Sequence, residues 1–169
     1  PLVAGGSLAL VKAREGAEDD AARARREAAA ALGPPGRPAL FSGISCGLSA
    51  PSLGGGLAAA ADRPGTATIV FGTNRPGLAR SRPIPGGGAT LREMIARVGE
   101  APGGCLVLPR VGAESVTGST RLKCGSATWL LLDAMVAAAL ADLPPAEVEG
   151  WLADRLAAAQ EEFAALQAH

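Results

Sequence analysis

The sequence predicts an α/β fold in which helices cover both faces of a parallel sheet. Short apolar segments alternate with longer helical segments, as they do in strand–helix–strand units. The clearest strand covers residues 66–72 (TATIVFG), whose unbroken run of β-branched and apolar side chains suits burial on both faces. The chain has 169 residues, of which 48% are hydrophobic, and this is enough for one domain with a core.

The individual elements follow from periodicity, apolar runs and the positions of glycine and proline. Strands are predicted for residues 39–45, 66–72 and 105–108, and helices for 18–32, 49–61, 90–98, 119–143 and 146–166. Ser49 is expected to cap the second helix, with Pro51 in its first turn, although three glycines at 54–56 weaken that helix. Two consecutive prolines divide the chain into a main domain, residues 1–143, and a C-terminal helix, residues 144–169.

Composition argues against several classes of function. Sixteen basic side chains balance sixteen acidic ones, so nothing points to a nucleic-acid or membrane-surface partner. The single histidine, His169, is the last residue, and Cys46, Cys105 and Cys124 form no Cys-x-x-Cys pair. We therefore expect no metal site, no cofactor and no Ser-His-Asp chemistry, and a reduced intracellular protein with Cys105 and Cys124 buried. The longest apolar run, interrupted by Asp133, is shorter than the roughly 20 residues that span a bilayer.

Glycine- and hydroxyl-rich segments follow the predicted strands, at the edge where an open parallel sheet binds ligands. Residues 43–49 (GISCGLS) and 118–120 (GST) both precede helices, where such loops form anion sites. Arg121 and Lys123 lie near a helix start, which the helix dipole disfavours. A bound phosphate would neutralise them. Two surface cations that reach water are an equally good explanation.

Three motifs occur in an order that resembles one branch of the sugar isomerase (SIS) domain family. They are REGAED at residues 14–19, GISCGLSAP at 43–51 and GSTRLKCGSAT at 118–128. The branch contains the bacterial N-acetylmuramic acid 6-phosphate etherases and the animal glucokinase regulatory proteins. The middle motif is similar to that of the regulatory proteins, since the etherases usually have a GIAASGRTP pattern there. The resemblance covers about residues 2–140.

The resemblance implies a three-layer αβα sandwich around a five-stranded parallel sheet that binds phosphosugars. The family's first strand would precede residue 1, so the domain is expected to be incomplete at its N-terminus. By motif position, the phosphosugar would be held by Ser45, Cys46 (through its backbone), Gly47 and Ser49, with Glu15 on the sugar hydroxyls. A further possible anion contact comprises Ser119, Thr120, Arg121 and Lys123.

Regulation without catalysis is the function that this resemblance implies. The regulatory proteins inhibit glucokinase in the nucleus. Fructose 6-phosphate strengthens the inhibition, and fructose 1-phosphate relieves it. We expect the same partners here, no catalytic residue, and a nuclear and cytoplasmic location. The alternative is an etherase that uses Glu15 as acid/base, which would need a second acid/base group. A sugar-phosphate isomerase is disfavoured, because no internal histidine is present.

Overall fold

A computed structural model of the chain describes residues 17–116 and 122–167. The helices are α1 (Ala17–Leu32), α2 (Pro51–Ala61), α3 (Leu91–Glu100), α4 (Lys123–Leu140) and α5 (Pro145–Gln167), and the strands are β1 (Ala39–Ile44), β2 (Thr66–Phe71) and β3 (Gly104–Val107). The fold divides into two compact units, Pro1–Gly125 and Ser126–His169. Each predicted strand, and each predicted helix, corresponds to one of these elements. The division of the chain after residue 143 stays a prediction.

The sheet is parallel, with β2 between β1 and β3. Ile44 pairs with Phe71, and Phe71 pairs with Val107, so the three strands end at the same level. A parallel connection needs a crossover, which α2 provides between β1 and β2 and α3 provides between β2 and β3. The α/β class with a parallel sheet is therefore confirmed. The loops after all three strands leave from one edge of the sheet.

The two faces of the sheet differ in burial. Phe41 and Gly43 of β1 lie on the face that packs against α2, whereas Leu40 and Ile44 alternate onto the other face and are 60% and 49% exposed. Leu40 and Ile44 therefore lie on the face of the sheet away from α2. Cys105 is exposed as well, contrary to the sequence prediction, because its register places it on the same face as Leu40 and Ile44.

Helix α2 is the centre of the first unit, and its glycines allow close packing rather than merely weakening it. A Cβ atom on Gly55 would lie 2.0 Å from the carbonyl oxygen of Ala21 in α1, and one on Gly56 would lie 2.4 Å from the Phe41 ring. No side chain larger than hydrogen fits such a contact between a helix and its neighbours. The run at 54–56 therefore sets the distances from α2 to α1 and to the sheet.

A buried arginine holds the loops at the amino edge of the sheet. Arg63 is 7% exposed, and its guanidinium donates to the carbonyl oxygens of Gly33, Pro34 and Arg37 at 3.1, 2.8 and 2.7 Å. It also donates to the Thr66 hydroxyl at 3.3 Å. Because each of these acceptors would otherwise be poorly satisfied, one cation fixes the loop between α1 and β1 against the start of β2.

Helix α3 begins with a reciprocal cap and covers the core with two fully buried side chains. The Thr90 hydroxyl accepts from the Glu93 amide at 3.2 Å, and the Glu93 carboxylate accepts from the Thr90 amide at 2.8 Å. Leu91 and Ile95 are buried one turn apart, as expected for an apolar helix face. The core cluster that they join is formed by Ala21, Leu48, Leu53, Leu57, Val70, Ala79 and Ile84.

The second unit contains most of α4 and all of α5. The sequence predicts that the apolar side chains of α4 pack in a core, but Leu130, Val136 and Leu140 are exposed. Helix α4 has 18 residues and a mean hydropathy of 1.3, so length and composition alone would let it cross a membrane. Core helices of soluble proteins pass the same test, which makes this weak evidence for a membrane span. In α5 the Arg155 guanidinium lies 4.8 Å above the Trp151 ring.

Two glycine-to-alanine changes in helices should have opposite effects on stability. Gly55→Ala should lower the free energy of unfolding by about 1–3 kcal/mol, because the new methyl group collides with the α1 backbone. Gly150→Ala in α5 has open space around it and should raise stability by up to about 1 kcal/mol through helix propensity. Urea unfolding followed by circular dichroism measures both. Stabilisation by Gly55→Ala would contradict the close contact between α1 and α2.

Candidate functional site

The candidate site is the turn at residues 45–49, which connects β1 to α2 at the carboxyl edge of the sheet. The Ser45 amide donates to the Phe71 carbonyl at 3.0 Å and so extends the pairing of the sheet. The Leu48 amide then donates to the Ser45 carbonyl at 2.8 Å, which closes a tight turn. Both ends of the turn are therefore anchored to regular structure.

Leu48 holds the middle of this turn in place. Its side chain is fully buried in the core, and its φ of 49° lies in the left-handed region, which is uncommon for residues other than glycine. Behind it, a Cβ atom on Gly72 would lie 2.4 Å from the Leu48 side chain, so the site is closely packed. Burial of leucine thus stabilises a backbone conformation that the residue would not otherwise adopt.

Three carbonyl groups of the turn accept hydrogen bonds from the segment that follows β2. The Cys46 carbonyl accepts from the Thr73 amide at 2.8 Å and from its hydroxyl at 3.0 Å. The Gly47 carbonyl accepts from the Asn74 side-chain amide at 3.2 Å, and the Leu48 carbonyl accepts from the Arg80 amide at 3.0 Å. These bonds fix the turn against the segment that follows β2.

The Ser45 hydroxyl oxygen acts as a hydrogen-bond acceptor for two backbone amides. It accepts from the amides of Ser49 and Ala50 at 3.2 and 3.3 Å. A serine oxygen has two acceptor positions and one proton, so both acceptor positions are filled. Among the described residues no acceptor takes that proton. Ser45 is half-buried, so its hydroxyl can donate one hydrogen bond to a group beside the turn.

The sequence prediction of Ser49 as the N-cap of α2 is wrong. Ala50 is the N-cap, with no side-chain cap bond, and Pro51 is the first helical residue as predicted. Ser49 is exposed and lies one position too early. The Ser45 hydroxyl instead takes the two amides that lead into the helix. The sequence does not reveal this, because Ser45 is four residues away and only the turn brings it to the helix start.

The carboxylate of Glu114 binds the first backbone amides of α4. The Glu114 carboxylate accepts from the Lys123 amide at 2.8 Å and from the Cys124 amide at 2.9 Å. These two hydrogen bonds, of which that from Cys124 is the stronger cause, hold the pKa of the Glu114 carboxyl below its ordinary value of 4.5. The helix dipole favours such a charge at this end. A carboxylate of the chain itself therefore binds the backbone amides at the start of α4.

The predicted site residues fall into two groups. Ser45, Cys46, Gly47 and Ser49 lie together in the turn, and Lys123 begins α4. Glu15, Ser119, Thr120 and Arg121 lie outside the described residues, so their proximity to the turn stays a prediction. Sequence reasoning missed Thr73 as the support of the turn and Glu114 as the cap of α4. Their only signals were a polar residue directly after a buried strand and an acid shortly before a helix start.

Comparison with known proteins agrees with this geometry. Residues 1–61 match the model of the glucokinase regulatory protein N-terminal SIS domain. Residues 1–61 of the chain are therefore similar to the N-terminal SIS domain of these regulatory proteins. The matched segment contains Glu15, β1, the turn at 45–49 and all of α2.

Individual relatives extend the similarity along most of the chain. The glucokinase regulatory protein of Homo sapiens is 33% identical over 142 residues, which cover 82% of this chain and 23% of that protein. That of Xenopus laevis is 32% identical over 139 residues, covering 80% and 22%. The N-acetylmuramic acid 6-phosphate etherase of Deinococcus radiodurans is 33% identical over 144 residues, covering 85% and 39%. The chain thus spans less than a quarter of these regulatory proteins and about two fifths of the etherase.

Metal-ligating side chains do not gather at this site. Within residues 17–116 and 122–167, no three His, Cys, Asp or Glu side chains lie close enough together to hold a metal ion.

Removing the buried part of Leu48 should weaken the fold strongly. Leu48→Ala should lower the free energy of unfolding by about 2–5 kcal/mol, the usual cost of a leucine-to-alanine cavity. Leu78→Ala, at a side chain that is 68% exposed, is the matched control and should change stability by less than about 0.5 kcal/mol. Equal effects of the two substitutions in urea unfolding would show that Leu48 does not anchor the turn.

Stability should depend on pH through Glu114. Because folding lowers the pKa of this carboxyl, its contribution is present above about pH 4.5 and is lost as the pH falls through the lower folded value. Glu114→Gln should therefore lower the melting temperature at pH 7 and have a much smaller effect near pH 3. Glu100→Gln, at an exposed acid on α3, is the control for the change in charge. A Glu114→Gln effect that is the same at both pH values would contradict this account.

Proposed function

We propose that this chain is the phosphosugar-binding part of a regulatory protein that acts on glucokinase. The observation that carries the proposal is the Ser45 hydroxyl, whose two acceptor positions are filled by the Ser49 and Ala50 amides, so that its proton is left to donate. Phosphate oxygens are acceptors only, so a fixed donor suits them. The start of α2, with no side-chain cap, adds the positive end of a helix dipole next to it.

The ligand that we propose is a fructose phosphate. Ser45, Ser49 and the backbone of Cys46 and Gly47 would bind the phosphosugar, and Glu15 would accept hydrogen bonds from sugar hydroxyls. Support comes from the similarity to glucokinase regulatory proteins over most of the chain and from the match of residues 1–61. The choice between fructose 6-phosphate and fructose 1-phosphate is left to the titration below.

Glucokinase is the proposed partner, and population shift is the proposed mechanism. A ligand that binds one arrangement of the whole protein more tightly changes its affinity for the partner by the same factor in the linked equilibrium. The parts of the regulatory proteins outside the aligned 23% would carry the rest of the contact. By the same similarity we propose that the protein works in the nucleus and cytoplasm.

Etherase activity is the second candidate, because bacterial etherases are as similar in identity as the regulatory proteins. An etherase would use Glu15 as one acid/base and would need another. Lactate release from N-acetylmuramic acid 6-phosphate by the full-length protein distinguishes the two functions. Turnover that Glu15→Ala abolishes would establish the etherase and overturn the regulatory proposal. Absence of lactate with measurable phosphosugar binding would support the regulator.

Calorimetric titration of both fructose phosphates into the full-length protein tests the site itself. Ser45→Ala should weaken binding by about tenfold to a hundredfold, the usual effect of losing a hydrogen bond to a charged group. Ser42→Ala, at an exposed serine on β1, is the matched control and should bind as the unmodified protein does. No loss of affinity in Ser45→Ala would remove the serine from the site.

Because Ser45 also supports the turn, a variant that keeps the hydroxyl is needed. Ser45→Thr should retain most of the affinity that Ser45→Ala loses, and circular dichroism should show that both variants fold. Glucokinase inhibition by the full-length protein then tests the partner. Inhibition that neither fructose phosphate changes would contradict the proposed regulation.

A further inference from the structure

Two cysteines from distant parts of the sequence meet at one hydroxyl group. Thr73 Oγ1 donates to the Cys46 carbonyl at 3.0 Å and lies 3.1 Å from Cys124 Sγ. Cys46 belongs to the turn at 45–49, and Cys124 to the first turn of α4. Since both contacts are made by the same oxygen atom, the two residues are neighbours, and both lie within the first unit.

The two thiols have different environments. Cys124 is 6% exposed, and burial raises the pKa of its thiol, an effect to which Glu114 and Cys46 add and which the Thr73 hydroxyl partly offsets. Cys46 is half-buried. A small oxidant in solution therefore reaches the Cys46 thiol more readily than the buried Cys124 thiol nearby.

We propose that Cys46 and Cys124 form a reversible disulfide when the protein meets a peroxide. A disulfide needs the two Cα atoms within about 7 Å. The contacts that Thr73 Oγ1 makes to the Cys46 carbonyl oxygen and to Cys124 Sγ place the two residues next to one another. Disulfides of reduced compartments are usually of this transient, redox-sensing kind. Cys105 takes no part, because it is exposed and lies on the same face of the sheet as Leu40 and Ile44.

The chemistry is a two-step oxidation by hydrogen peroxide. The Cys46 thiolate attacks one peroxide oxygen, the O–O bond breaks, and sulfenic acid and water are formed. The Cys124 sulfur, after losing its proton, then attacks the Cys46 sulfur, and the hydroxyl of the sulfenic acid leaves as a second water. The two thiols lose two electrons and two protons in total, and the peroxide is reduced to water.

The disulfide would tie the turn at 45–49 to the start of α4. If the turn binds a phosphosugar as proposed above, the cross-link holds it in one conformation and removes the Cys46 backbone from the ligand. Oxidation should then weaken phosphosugar binding at least tenfold, and dithiothreitol should restore it. This consequence rests on the proposed function, whereas formation of the disulfide does not.

Peptide mass spectrometry of the full-length protein tests the disulfide directly. The protein is treated with hydrogen peroxide, alkylated and digested without reductant. The expected result is a cross-linked pair of peptides that contain Cys46 and Cys124 and that separate on reduction. Recovery of both residues as alkylated thiols, or of Cys46 as an uncrosslinked sulfenic or sulfinic acid, would overturn the proposal.

Two variants complete the test. Cys124→Ser should leave Cys46 as a sulfenic acid that dimedone traps, because the second thiol is missing. Cys105→Ser is the matched control and should cross-link as the unmodified protein does. Loss of the cross-link in Cys105→Ser would contradict the pairing. Because none of these measurements uses a sugar, a failure of the phosphosugar proposal leaves this result unaffected.

Discussion

Burial of the Leu48 side chain is the interaction on which the candidate site depends. A turn between a parallel strand and its crossover helix has few side chains of its own to hold it. Here the left-handed residue is also the one that is fully buried, so the core fixes the turn from inside. The hydrogen bonds from Thr73, Asn74 and Arg80 to the turn carbonyls then further stabilise the conformation that this packing favours.

Close packing around α2 gives this turn a firm base. At Gly55 and Gly56 the helix approaches α1 and the sheet more closely than any side chain would allow, so its N-terminal end cannot shift without moving its neighbours. Arg63 holds the opposite end of the same unit. A turn held by rigid elements would keep its donors in place before any ligand arrived, which would lower the free-energy cost of binding.

Local sequence signals predict the helices and strands, but they do not predict the tertiary contacts between them. The β-branched run at 66–71 predicts its strand because the signal lies within a few residues. The exposure of Leu40 and Cys105 depends on which face α2 covers, and the role of Glu114 depends on a loop that brings it back to α4. The glycines of α2 were misjudged for the same reason, because helix propensity ignores a neighbouring backbone.

The Glu114 carboxylate also affects which of the two helix starts, that of α4 or that of α2, would bind an anion more favourably. At the start of α4 the Lys123 and Cys124 amides already bond a carboxylate, so a phosphate there would have to displace one charge in order to place another. At the turn, Ser45 has both acceptor positions filled, and its proton has no acceptor within the described chain. An anion at the turn therefore adds a hydrogen bond without breaking one. This difference favours the turn over the start of α4 as the position of a phosphate, although each of the two places lies at the N-terminus of a helix.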